Sequence, residues 1–350
     1  MYGGEFMQNW INAKNENSDI VLSSRIRLAR NLKKVPFPNK LIVDDAKDIV
    51  NKVEEAFYEF PYSKEEFQSI YLWENQKALN EVYLEKHLIS KGLIKHAKAS
   101  AFIVDKSETT SIMINEEDHL RLQTITGGLG FKEAFEYINK IDDFLEGKLD
   151  YAFDEKLGYI TSCPTNIGTG LRASVMIHLP ILTLNKEIVR ILNGITQVGM
   201  TIRGLYGEGS RAYGNLYQIS NQITLGRTED QILNNLEGIV NQVIEQEHLA
   251  REMMLNKHKY ELEDKIFRSL GVLKAATILT TREVLGLISN VRLGVEMGIV
   301  KDIDKSILNN LLVNIQPSTI EYLAEKELVD IEERAKRAKI VKEALKNVKL

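Results

Sequence analysis

Apolar residues recur along this chain at two different periods, and the switch between them organises it. Ile232, Leu236, Ile239, Val243 and Ile244 follow one another at three- to four-residue spacing, with a single glycine, Gly238, across 228–270. That spacing lines one face of an α-helix and predicts a long helix there. Residues 44–58, 74–91 and 131–146 also read as helices. Ser100–Val104 and Ser111–Ile114 are short apolar runs either side of polar Asp105–Thr110, the pattern of a β-hairpin. Tyr159–Ser162 and Val175–Leu179 read as further strands. Helices and strands mix without strict βαβ alternation, so the expected class is α+β. Behind the long helix come shorter helical stretches. Thr280–Glu283 and Ser318–Glu321 resemble capping boxes, the second after Pro317. Residues 330–350, rich in Lys, Arg, Glu and Ala, read as a solvated helix. The boundary between a mixed front region and an all-α rear region is expected near residue 255.

Composition narrows the class. Of 350 residues, 44% are hydrophobic and 27% charged, which is ordinary for a globular protein and excludes a disordered chain. Lys and Arg number 45 against 49 Asp and Glu, giving a net charge of -4. No overall basic field therefore points to nucleic acid. One cysteine, Cys163, forms no internal disulfide and fits a reducing, cytoplasmic compartment. No apolar stretch is long enough for a membrane span. Walker A, Gly-rich dinucleotide, His-Glu-x-x-His and serine-hydrolase signatures are absent.

Four segments hold the candidate chemistry. In Ser23-Ser24-Arg25-Ile26-Arg27 the two arginines sit two apart, so an extended backbone points both to one side, where two guanidinium forks suit a polyphosphate. The same pattern also describes an amphipathic sheet edge. Asn115-Glu116-Glu117-Asp118-His119-Leu120-Arg121 crowds three carboxylates that repel one another unless a cation is near. It reads either as exposed loop charge or as a meeting point for a cationic substrate, hydrated magnesium and phosphate. Cys163-Pro164-Thr165-Asn166-Ile167-Gly168 puts the cysteine in a turn, where loops present reactive groups; a buried small hydrophobe is the plainer reading. Arg203-Gly204-Leu205-Tyr206-Gly207-Glu208-Gly209 looks like a mobile lid or a flexible surface loop.

Taken together and in this order, the SSRIR, NEEDHLR, CPTNIGTGLRA and RGLYGEG…YQISN…LGRTE segments resemble the signatures of the ATP:guanidino phosphotransferases, the family of creatine and arginine kinases, over roughly residues 18–230. The resemblance implies a phosphagen-kinase-like catalytic domain over 1–255, its mainly antiparallel sheet flanked by helices. It implies ATP and Mg2+ as cofactors. Ser24, Arg25, Arg27, Arg121, Arg172 and Arg203 would bind the phosphates, and His87 would lie near the base. Glu117 would be the catalytic base and guanidinium anchor, and Glu116 would support magnesium through water. Cys163 as thiolate would pair with the guanidinium, and Glu208 would grip the substrate from the lid. Met176 and Gln218 stand where the family has a histidine and an aspartate at the nucleoside.

The layout differs from the phosphagen kinases. About twenty residues precede Ser23, too few for a domain core, while about 120 follow the LGRTE segment. That arrangement resembles the bacterial protein-arginine kinases within the family. It implies an arginine side chain on a protein as acceptor, in stress response and protein quality control. The all-α domain over 256–350 would then serve substrate or partner binding and dimerisation. By the same resemblance the partners are a transcriptional repressor, a zinc-binding activator protein and a Clp protease. A phosphagen kinase acting on free arginine or another small guanidine, or a non-catalytic adaptor, are the alternatives. Protein-arginine kinases are expected to sense phosphoarginine through an Arg-Asp-x-x-Arg-Ala signature. The nearest stretch, Glu333-Arg334-Ala335-Lys336-Arg337-Ala338, lacks the leading arginine and the aspartate, leaving Arg337 as the candidate.

Overall fold

The apolar runs around Asp105–Thr110 form the expected hairpin, and the sheet grows outward from it. The computed structural model describes residues 9–12, 19–204 and 212–348. Its strands are β1 (Val21–Arg30), β2 (Phe67–Tyr71), β3 (Ala101–Asp105), β4 (Thr110–Ile114), β5 (Leu120–Gly127), β6 (Phe153–Asp154), β7 (Gly158–Tyr159), β8 (Leu171–His178), β9 (Met200–Gly204) and β10 (Leu216–Asn221). Eight of them make one sheet in the order β2-β3-β4-β5-β1-β8-β10-β9, and β6 and β7 pair separately. The β1–β5, β2–β3, β3–β4 and β4–β5 pairings are antiparallel. The fold is α+β, as expected.

Several elements differ from the sequence reading. The helix expected over 74–91 is two, Lys77–Glu85 and Lys91–Lys95. His87 interrupts it with a left-handed φ of 63°, a conformation that costs a non-glycine residue and ends a helix. The helix expected over 228–270 is also two, Glu229–Lys257 and Lys259–Ala275. They part at His258, whose φ is -135°. Thr280 caps its helix as expected, accepting from the Glu283 N–H. Ser318 does not: the helix is Pro317–Ala324, its N-cap is Gln316, and Pro317 takes the first turn, where its missing N–H is harmless. The strand expected over Tyr159–Ser162 shrinks to Gly158–Tyr159, because the following residues turn into the cysteine loop.

The chain packs as two compact units. Among the described residues the first comprises 9–12, 23–175 and 220–237. Its helices Val43–Phe57 and Phe131–Glu146 bury apolar stripes that include Ile49, Val53, Ala134, Ile138 and Ile141. A cluster of Leu72, Leu88, Leu93, Phe102 and Met113 fills it beside the helix pair that His87 separates. The second comprises 19–22, 176–204, 212–219 and 238–348. Alongside its apolar helices it buries a polar network. Arg251 donates to Glu247 at 3.0 Å and to Glu296 at 2.9 Å. Glu247 in turn accepts the free N–H groups of Ile181 and Leu182 at a helix start, satisfying donors that the helix itself leaves unpaired.

Candidate active site

In the first unit, β1 and β5 lie side by side with Ala29 opposite Arg121 and Arg25 opposite Ile125. This antiparallel register, together with the alternation along β1, gathers Arg25, Arg27 and Arg121, and Arg172 joins them from β8. Arg25 is half-buried, and burial, then the fields of Arg121 and Arg172, bring its pKa down to about 9. Burial first, then the fields of Arg25, Arg121 and Arg172, bring the Arg27 pKa well below its usual value, opposed by Glu116. The Arg27 Nε is buried with no acceptor among the described residues. Four mutually repelling guanidiniums and a buried donor without a partner are unstable as a purely structural arrangement. They fit a polyphosphate, which brings several negative charges and many acceptor oxygens. Arg172 Nη2 also donates to Ser220 Oγ at 3.2 Å, fixing the side chain.

The NEEDH segment is a tight loop closed by two backbone bonds, Asn115 N–H to His119 O and Glu116 N–H to Asp118 O. Asn115 takes a left-handed φ of 60° to make the turn. Its side-chain amide donates to the carbonyls of Ala46 and Ala99, tying the loop down. Glu116 is buried. Its Oε1 accepts from Ser90 Oγ at 2.5 Å and pairs with Arg121 at 3.0 Å, and its Oε2 accepts the Glu117 N–H at 3.0 Å. Burial alone would push its pKa up; Arg121 and these hydrogen bonds outweigh that and hold it below the usual carboxylate value. A Cβ on Gly92 would collide with Glu116 Oε1, so glycine there leaves the carboxylate its place.

Glu117, by contrast, is exposed, and its pKa is raised, first by burial of its surroundings and then by the charges of Asp118 and Glu116. It shares a hydrogen bond with Cys163. The Cys163 thiol lies 3.0 Å from Thr165 Oγ1 and is partly accessible. Asp118 locks the two loops in this pairing. It is buried and accepts from Asn31 Nδ2 at 2.6 Å and from the Ser162 N–H at 2.6 Å. Next to it His119 is buried, its pKa lowered to about 4 by desolvation. Its Nδ1 accepts the Leu32 N–H and its Nε2 donates to Pro36 O. The far side of the cysteine loop is held by Thr224 Oγ1, which donates to Thr165 O and Ile167 O. Gly168, at φ 113°, passes so close to the Thr224 carbonyl that a Cβ would lie 2.6 Å from it.

The remaining expected residues fall as follows. His87 lies beside Arg25 and is neutral near pH 7, its pKa lowered to about 4 by burial first and by Arg25 second. Ser24 spends its hydroxyl on the glycine loop, donating to Gly128 O at 2.8 Å and accepting the Gly130 N–H at 3.1 Å. Arg203 lies on β9 in the second unit and is exposed there. Glu208 lies outside the described residues. Among the described residues no group of three or more His, Cys, Asp or Glu is placed to hold a metal ion. Sequence reasoning assigns no role to Asp118, Asn31, Ser90 or Thr224. Ser90 carries a signal, since it caps the helix Lys91–Lys95 by accepting the Leu93 N–H; the others act across loops distant in sequence.

Residues 48–250 match the family model described as ATP:guanido phosphotransferase, C-terminal catalytic domain, and residues 259–350 match protein-arginine kinase McsB C-terminal domain. The protein-arginine kinase of Clostridium novyi (strain NT) is 70% identical over 98% of this chain and all of its own length. That of Clostridium acetobutylicum is 58% identical over 97% of this chain and all of its own length. Among solved structures, lombricine kinase aligns with a TM-score of 0.57 at 23% identity, over 69% of this chain and 71% of its own. The duplicated taurocyamine kinase of Schistosoma mansoni aligns with a TM-score of 0.61 at 22% identity, over 77% of this chain and 41% of its own. These two show the fold. Matched over residues 48–250 and 259–350 by family models and along nearly its whole length by such relatives, the chain belongs to the ATP:guanido phosphotransferase family, among its protein-arginine kinases.

Proposed function

We propose that this chain transfers the γ-phosphoryl group of ATP to the guanidinium of arginine side chains in proteins. The observation that carries the reading is the Glu117–Cys163 pair, exposed on its carboxylate side and adjoining a loop whose other carboxylate is bound to the arginine cluster.

The protonated guanidinium of the acceptor is a poor nucleophile. Glu117 and the Cys163 sulfur hold it by charge and hydrogen bonding, presenting one nitrogen in line with the γ-phosphorus. As the nitrogen–phosphorus bond forms, the bond from the γ-phosphorus to the β,γ-bridging oxygen breaks and ADP leaves. Glu117 takes the proton released by the nitrogen. Its raised pKa makes it a better acceptor than an ordinary surface carboxylate. Arg25, Arg27, Arg121 and Arg172 hold the phosphates and offset the charge that develops on the transferring group and on ADP. Three acceptor positions of Glu116 are taken by Ser90, Arg121 and the Glu117 N–H. A carboxylate has about four, so one is left for a water on magnesium. Magnesium on the phosphates would neutralise part of their charge. Arg203 and Glu208 are assigned to the phosphates and the acceptor by family resemblance.

We assign 1–255 to catalysis and 256–350 to partner binding and self-association as a homodimer. Exposed Tyr260, Phe267, Tyr322 and Ile331 support the second part. The protein is placed in the cytoplasm, acting on a transcriptional repressor with a zinc-binding activator and a Clp protease as partners; the support is the family resemblance and the lone cysteine. No described helix is long and apolar enough to cross a membrane.

The test offers ATP with an arginine-containing protein or with free arginine and measures acid-labile phosphate on each. Labelling of the protein is expected. Rapid turnover of free arginine alone would overturn the protein-acceptor reading.

A further inference from the structure

Where an arginine on a protein enters this site, the polypeptide on either side of it must cross the rim. An arginine side chain spans about 6–7 Å from Cα to its terminal nitrogens by ordinary bond lengths. The acceptor backbone therefore runs within that distance of Glu117 and Cys163. What flanks Cys163 there is apolar and open. The cysteine loop bonds to Thr224 through the carbonyls of Thr165 and Ile167, and on either side of Thr224 stand Ile223 and Leu225, 49% and 50% exposed. The same loop pairs with the β6–β7 hairpin, where Tyr159 and Gly168 exchange backbone hydrogen bonds at 2.8 and 3.4 Å. That hairpin carries Phe153 and Leu157, 54% and 45% exposed.

The backbones that carry these four side chains come together at Gly168. A Cβ built on Gly168 lies 2.8 Å from the Leu225 Cα, and one built on Gly158, next to Leu157, lies 2.5 Å from the Gly168 carbonyl oxygen. The patch is also held rigidly, unlike a chance exposure on a loose loop. Phe153 packs edge-on against Tyr159 at 5.2 Å. The Arg30 guanidinium lies 3.5 Å from the Tyr159 ring centre and pairs with buried Asp142 at 2.6 Å. Asp154 Oδ1 accepts the N–H groups of Lys156 and Leu157, fixing the hairpin turn. At that exposed turn Asp154 and Glu155 outnumber Lys156, a local negative balance that suits a segment carrying arginine.

We infer that Phe153, Leu157, Ile223 and Leu225 form a docking rim for the substrate polypeptide, seating apolar side chains that neighbour the target arginine. The inference rests on the protein-acceptor reading and adds a local preference to it. The rim makes the enzyme favour arginines beside Leu-, Ile- or Phe-like residues, as in unfolded or exposed segments. It leaves phosphoryl transfer itself untouched, because none of the four side chains reaches the reacting atoms.

Two short peptides of equal length and net charge test it, one with leucine and phenylalanine around a central arginine, the other with glycine and serine. Wild type is expected to show roughly tenfold higher kcat/KM on the apolar peptide, the factor given by burying about one apolar side chain's worth of surface. The F153S/L157S/L225S variant should lose that preference through KM while keeping its ATP affinity and its rate on the glycine–serine peptide. A wild type indifferent to the flanks, or a variant that keeps the preference, overturns the rim. So does a variant that loses rate equally on both peptides, which marks a packing role. A wild type that modifies free arginine and neither peptide overturns the protein-acceptor reading, and the rim with it.

Discussion

A cluster of half-buried arginines and one fully buried arginine show what separates an unmet charge cluster from a structural brace. In the first unit, Arg25, Arg27, Arg121 and Arg172 repel one another, and the Arg27 Nε finds no acceptor among the described residues. In the second unit, Arg337 is 1% exposed, yet each of its three nitrogens is used. Nε donates to Ile315 O at 2.8 Å, Nη1 to Leu279 O at 3.2 Å, and Nη2 pairs with Glu333. The four of the first unit are half-buried and Arg337 is fully so. Unmet hydrogen-bonding capacity and like-charge crowding belong only to the first, and they are what call for an anion. Arg337, the one candidate for sensing phosphoarginine, is thereby a staple between helices.

The contrast can be broken by substitution. Glu117→Gln should have the largest effect, lowering kcat by about 10³-fold through loss of the base while ATP affinity holds, as paired turnover and nucleotide-binding measurements would show. In wild type the rate should fall on the acid side, as pH drops through the raised pKa of Glu117, because the protonated acid cannot take the proton. Arg337→Met should cost about 3 kcal/mol in denaturant unfolding, since two carbonyls and a carboxylate lose their donor, and should leave ATP affinity unchanged. Arg27→Ala should do the reverse, weakening ATP binding roughly 30-fold while leaving the melting temperature equal or higher, because repulsion is relieved. If Arg27→Ala unfolds the protein and Arg337→Met does not, the distinction fails. Cys163→Ser should be mildest, reducing transfer by about tenfold, as one partner of the guanidinium is weakened and the base remains.

Much of the fold, and the gathering of Arg25 and Arg27 on one side of a strand, is legible in the amino-acid pattern alone. The hairpin, the helix over 131–146 and the two-residue spacing of Arg25 and Arg27 are periodic or local signals, and they emerge as read. The break at His87 is not legible, because a non-glycine left-handed residue has no pattern around it. Nor is the role of Asp118. In sequence it is one of three crowded carboxylates, but its work is to join Asn31 and Ser162, 87 and 44 residues away. Only the fold brings those together. Ser24 illustrates the converse: it sits in a family motif beside Arg25 and Arg27, while its hydroxyl is committed to the glycine loop.

The most direct measurement maps phosphate by site on proteins treated with ATP and either wild type or Glu117→Gln, under conditions that spare acid-labile bonds. Phosphate on arginine side chains with wild type, and close to none with the variant, is the predicted result. Equal arginine labelling by both, or labelling confined to hydroxyl side chains, would contradict it.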